Sequence, residues 1–135
     1  MVRSLRGGAQ GHVDKGMVLV IEDEPIIRDM IEDALSQAGF RGIGIGSGGE
    51  AMLLLDHPPE GIVALICDIR LGGGISGWVV ARHARMMMPD TGVVYVSGDA
   101  GIDWRREAVP GAAFLSKPFS GRDIVAAVTA QTSMT

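Results

Sequence analysis

With 135 residues, 47% of them hydrophobic, the chain has the length of one domain that can close a single core without cross-links. A formal net charge of -4 argues against direct nucleic-acid binding, which calls for a basic face to neutralise phosphates. One cysteine, Cys67, excludes an internal disulfide; with no signal-peptide pattern and no apolar run as long as a bilayer is thick, a cytoplasmic protein without membrane contact is expected.

Residues 1–16 are glycine-rich without hydrophobic periodicity, so they are read as a disordered tail or an extension foreign to the domain, with no function assigned. The domain is expected over 17–131, with 132–135 as a closing tail. The continuous apolar run from Met17 to Ile21 predicts a buried strand that ends at Glu22 and Asp23. Pro25 suits a helix start. Behind it Ile26, Ile27, Met30, Ile31, Ala34, Leu35 and Ala38 fall on one stripe, and Gly39 ends the pattern. A second run, 42–45, brings only glycine and serine to its end. A helix over 49–57 follows, stopped by Pro58 and Pro59, with Met52, Leu53 and Leu55 as its apolar surface. The run 62–67 ends at Asp68, and the loop after it holds three glycines, 72–74, which leave its backbone unusually permissive. A third helix over 76–88 halts before Pro89; the run 93–96 ends at Ser97. Weak periodicity over 100–109, broken by Pro110, predicts a short or irregular fourth helix. The run 112–115 stops just before Lys117, and a last helix over 120–130 buries Ile124, Val125 and Val128.

Near-continuous hydrophobic runs alternating with amphipathic helices describe parallel strands buried on both faces, hence an α/β, doubly wound sheet. Open parallel sheets bind ligands outside the carboxyl ends of their strands. Glu22, Asp23, Asp68, Ser97 and Lys117 all stand at such ends. Two unit charges about 5 Å apart repel by roughly 3 kcal/mol at an effective dielectric of ~20, so three carboxylates resist sharing a pocket. A hard divalent cation removes that cost, and Mg²⁺, which takes one or two carboxylates together with waters and a phosphate oxygen, suits the set, with Mn²⁺ as a substitute. Lys117 adds a point charge for a carboxylate or a phosphoryl oxygen, and Ser97 adds a hydroxyl. A carboxylate can act as nucleophile towards phosphorus. Asp68, alone at its strand end, is the choice for that role, leaving the Glu22 and Asp23 pair to hold metal.

On these residues the chain resembles the response-regulator receiver domains of two-component signalling. The resemblance runs from Met17 to about Ala130 and is carried by Val20-Ile-Glu-Asp-Glu-Pro25, Leu65-Ile-Cys-Asp-Ile-Arg70, Val94-Tyr-Val-Ser-Gly98 and Phe114-Leu-Ser-Lys-Pro-Phe119. It implies a flavodoxin-like sheet of five parallel strands in order 2-1-3-4-5 with helices on both faces. It further implies Asp68 as phospho-acceptor and Glu22, Asp23 and the Arg70 backbone carbonyl as Mg²⁺ partners. Ser97 would be the switch hydroxyl, Lys117 the contact to the acyl phosphate, Phe114 the aromatic that turns inward, and Lys117-Pro118 a cis bond. The expected partners are a sensor histidine kinase or a histidine phosphotransfer protein and a downstream protein reached by phosphorylation-dependent contact. The chain would act as a stand-alone monomer or phosphorylation-dependent dimer, signalling without enzymatic turnover of a separate substrate. The loop after Asp68 departs from the family in lacking a proline and carrying one extra residue, and the interval from Ser97 to Lys117 is short.

Two rivals stand beside this reading. A receiver with a degenerate site would serve only as an interaction module. Gly44-Ile-Gly-Ser-Gly-Gly49 also satisfies the G-x-G-x-x-G spacing of a dinucleotide fold, with Asp68 near the distance of a ribose-binding acid, although a complete strand and helix precede it. Elsewhere ordinary packing accounts for most residues: Met86, Met87 and Met88 as helix-end packing, His57 and His83 as solvated or capping groups, and Cys67 as a small buried hydrophobe rather than a redox sensor. Trp78 and Trp104 are open between core and surface.

Overall fold

The computed structural model describes residues 14–99 and 104–133. In chain order the elements are β1 (Met17–Ile21), α1 (Pro25–Gln37), β2 (Arg41–Ile45), α2 (Gly48–Asp56), β3 (Ile62–Asp68), α3 (Gly77–Met87), β4 (Gly92–Ser97), α4 (Trp104–Glu107), β5 (Ala113–Ser116) and α5 (Gly121–Thr132). The five strands form one parallel sheet in the order β2-β1-β3-β4-β5. Its register brings Ile21 beside Ile45 and Cys67, Asp68 beside Val96, and Ser97 beside Ser116. The carboxyl ends of β1, β3, β4 and β5 therefore open on one edge.

Successive strand residues point to opposite faces. Val18, Val20, Ile66, Val94 and Val96 pack under Ile31 and Leu35 of α1 and Ile124 and Val128 of α5. Leu19, Ile21, Leu65 and Cys67 pack on the other face against Ala51 and Leu55 of α2 and Val80 and Ala84 of α3. Burial on both sides is why these strands read as unbroken apolar runs. Serines start three helices: Ser47 and Ser76 accept from Glu50 N and Val79 N, and Ser120 forms a reciprocal capping box with Asp123.

Several expectations shift. Ile26 is 84% exposed, because at 100° per residue it stands roughly 140° to 180° around α1 from the buried Ile31 and Leu35. Leu53 likewise faces away from Ala51 and Leu55, and Val125 is only partly covered. Met88 packs on the α2/α3 cluster, whereas Met86 and Met87 are exposed. Residues 14–16 of the expected tail rest on the domain: Lys15 N donates to Gly39 O at 3.0 Å and Asp14 pairs with Arg41 at 3.3 Å. Residues 1–13, 134–135 and the first part of the expected fourth helix, 100–103, lie outside the described residues.

The glycine-rich stretch after α1 has a packing explanation. A Cβ on Gly44 would sit 2.3 Å from Glu32 Oε2 and 2.9 Å from Arg28 Cδ of α1, and one on Gly48 would sit 2.8 Å from the Ile75 carbonyl. Gly44, the first glycine of the G-x-G-x-x-G spacing, and Gly48, which lies between its members, are small because protein atoms occupy the space, whereas a Cβ on Gly46 or Gly49 would meet nothing closer than 3.4 Å.

Candidate functional site

The site is assembled at the carboxyl edge by backbone ladders that run one residue past each strand. Glu22 N donates to Ile45 O at 3.1 Å, Ile69 N to Val96 O at 3.1 Å, and Lys117 N to Ser97 O at 2.8 Å. The Lys117-Pro118 bond is cis. Arg28 of α1 donates to the Glu22 carbonyl at 2.8 Å, fixing the turn that carries the acidic pair.

Asp68 is 4% exposed and fully engaged: its Oδ1 accepts from Arg70 N at 3.1 Å and its Oδ2 from Lys117 Nζ at 3.0 Å. Glu22 is 1% exposed; its Oε2 accepts from Glu24 N at 3.1 Å. Asp23 is exposed and its Oδ2 accepts from Gly72 N at 3.1 Å, tying the glycine loop to the acids. One carboxylate oxygen each from Glu22, Asp23 and Asp68 lies within 4.8 Å of the others. Lys117 pairs with two of these three, its Nζ lying 3.2 Å from Glu22 Oε1 and 3.0 Å from Asp68 Oδ2, and reaches Glu24 Oε1 at 3.6 Å. Ser97 is 2% exposed, and its Oγ accepts from Asp99 N at 3.0 Å. Phe114, on β5, is half-buried and stacks on Trp104 of α4 with ring centroids 5.8 Å apart.

The charges explain what the crevice favours. Burial, with the Asp68 charge adding to it, pushes the Glu22 carboxyl up to about 7 even though the Glu24 N–H and Lys117 pull the other way. Burial opposes the Lys117 charge, but its hydrogen bond to Asp68 and the nearby carboxylates outweigh that and hold its pKa above the ordinary value. Glu22 Oε1 is buried and within ion-pair distance of Lys117, yet no hydrogen bond is directed at it. A buried oxygen with lone pairs to spare, set among two further carboxylates, fits a hard cation with oxygen ligands. Cys67, fully buried behind this cluster, has its thiol held far above the ordinary range by burial and by Asp68 and Glu22, which leaves it a neutral core residue.

Every residue singled out from sequence lies in this region: Glu22, Asp23, Asp68, Ser97 and Lys117 in one cluster, Arg70 on its wall and Phe114 on β5. Others escaped notice. Glu24 joins the Lys117 pairs, and Asp99 meets the Arg70 guanidinium across the crevice. Gly77 is a matter of clearance: a Cβ there would sit 2.3 Å from the Asp68 carbonyl oxygen, so only glycine lets α3 begin this close to β3. Position gives the only clue to Glu24 and Asp99, since each follows a strand end by a few residues. His83, read as solvated or capping, instead pairs with Asp56 at 2.9 Å, linking α3 to α2.

Comparison with known proteins follows the same outline. The model of the response regulator receiver domain matches residues 18–129. The crystal structure of a response regulator receiver protein from Sinorhizobium medicae aligns with a TM-score of 0.83 at 33% identity, covering 88% of this chain and 95% of that one. The response regulator receiver protein CpdR of Brucella abortus is 30% identical over 80% of this chain and 89% of its own length. Nodulation protein W of Bradyrhizobium diazoefficiens is 28% identical over 93% of this chain. The chain spans only 56% of that relative and 23% of the C4-dicarboxylate transport transcriptional regulatory protein DctD of Rhizobium meliloti.

Proposed function

The chain belongs to the response regulator receiver family, signalling domains of two-component systems, and on that premise we propose that Asp68 accepts a phosphoryl group from a histidine kinase or a histidine phosphotransfer protein. The observation that carries this is the cluster itself: a carboxylate at the crevice wall, bonded to Lys117, with two more carboxylates within 4.8 Å. A carboxylate oxygen of Asp68 forms the new bond to phosphorus as the donor's P–N bond breaks, and that bond's electron pair stays on the imidazole nitrogen. The loose transition state of such a transfer asks for alignment and charge neutralisation rather than acid–base work.

Receiver domains bind Mg²⁺ through acidic residues, and here Glu22, Asp23, Asp68 and the Arg70 backbone carbonyl would hold it, with Mn²⁺ as substitute. Once bound it supplies positive charge to the phosphoryl oxygens. Lys117 is placed to pass from Asp68 Oδ2 to a phosphoryl oxygen, and Ser97 to turn its hydroxyl towards the same group. Phe114, carried on the strand that ends at Ser116 just before Lys117, would couple that movement to the surface around Trp104. The output is contact with a downstream protein, as a monomer or a phosphorylation-dependent dimer, in the cytoplasm.

Incubating the protein with a phosphorylated kinase or phosphotransfer partner and Mg²⁺ should label the wild type, while Asp68→Asn stays unlabelled and folded. Undiminished labelling of that variant refutes the assignment.

A further inference from the structure

We propose that the Arg70–Asp99 ion pair is a strap across the mouth of the Asp68 crevice, and that Arg70 leaves Asp99 for the phosphoryl oxygens when Asp68 is loaded. The inference rests on Asp68 being the acceptor. Arg70 lies in the loop after β3 and Asp99 in the loop after β4, and their side chains meet over the crevice that both line with Asp68, Ser97 and Lys117. Each is also bound to a site residue through its own backbone: Arg70 N donates to Asp68 Oδ1 at 3.1 Å and Asp99 N to Ser97 Oγ at 3.0 Å. Asp68 and Ser97 end the neighbouring strands β3 and β4, so the ion pair is the exposed link between two loops each anchored to a site residue, with 74% of the Arg70 side chain and 35% of the Asp99 side chain in solvent.

An exposed pair of this kind contributes little to stability, so exchanging it costs little. A phosphoryl group carries about twice the charge of a carboxylate and offers three acceptor oxygens to a planar guanidinium fork. Lys117 supplies one cation to the phosphoryl group while still paired with Glu22 and Glu24, and Arg70 is the second cation among the described residues lining this crevice. Its departure exposes Asp99 to the phosphoryl charge and loosens the Asp99 N–H that holds Ser97, freeing that hydroxyl to turn towards Asp68.

The test is the affinity for beryllofluoride with Mg²⁺, a non-covalent phosphoryl mimic, followed by tryptophan fluorescence in four proteins. Arg70→Gln, which keeps the backbone carbonyl, should weaken binding about tenfold, the scale of one lost charge-assisted hydrogen bond. Asp99→Asn should tighten it, since Arg70 no longer has a resting partner. The double variant should bind more weakly than Asp99→Asn alone. Unchanged or weaker binding by Asp99→Asn overturns the strap, because a pair that only braces the loops would lose affinity when cut. A double variant equal to Asp99→Asn also overturns it, since Arg70 would then do no more than mask the Asp99 charge. Wild-type protein that binds no beryllofluoride defeats the Asp68 reading itself, a result distinct from wild-type binding with indifferent variants.

Discussion

Raising the pH from 5 to 8 in metal-free protein is expected to destabilise this fold. Glu22 is 1% exposed, and burial lifts its carboxyl from 4.5 to about 7. The unfolded chain gives up this proton near 4.5 and the folded chain near 7, so between those values the native state binds more protons. The Glu22 contribution is therefore intact below pH 4.5 and is lost as pH climbs through 7. At about 1.4 kcal/mol per pKa unit, the loss between pH 5 and 8 comes to roughly 2 to 3 kcal/mol. Lys117, whose pKa lies above its ordinary 10.5, stays charged throughout and adds no slope in this window. A cation at a hundred times its dissociation constant returns about 2.7 kcal/mol, enough to offset the deficit at pH 8. Urea unfolding monitored by tryptophan emission at pH 5, 6, 7 and 8, with chelator and then with saturating Mg²⁺, measures both effects. Comparison with Glu22→Gln isolates this group from the other carboxylates, since its slope should be flatter than that of the wild type. Metal-free slopes that coincide for the two proteins, or a Mg²⁺ gain at pH 8 no larger than at pH 5, would refute the reasoning.

Lys117→Ala strips Asp68 and Glu22 of their shared cation, and leaving buried charges unpaired should cost roughly 1 to 3 kcal/mol in metal-free protein at pH 8, read from urea midpoints. The same variant should still accept a phosphoryl group while losing the accompanying spectral change around Phe114, so retained switching argues against Lys117 as the coupling residue. Gly77→Ala drives a methyl group into the Asp68 carbonyl, 2.3 Å away, and a thermal melt should show a loss of about 2 kcal/mol or more together with weaker Mg²⁺ binding.

The order of apolar runs and amphipathic stripes was enough to specify a doubly wound parallel sheet, because strands buried on both faces must be hydrophobic along their whole length and Pro25, Gly39 and the Pro58-Pro59 pair punctuate the helices locally. It was enough, too, to nominate Glu22, Asp23, Asp68, Ser97 and Lys117, since in such a sheet the residue after a strand inherits a place at the ligand edge. Local signals failed where the answer lay in another element. Ile26 looked like core until the position of α1 over β1 and β2 set which arc of the helix faces the sheet. Gly44 counted towards a phosphate-loop spacing, whereas Glu32 and Arg28 of α1 occupy the space beside it. Glu24, Gly77 and Asp99 carry no motif of their own. Their roles arise from distances of a few ångströms between segments far apart in the chain, and such distances exist only once the sheet has brought its carboxyl ends together.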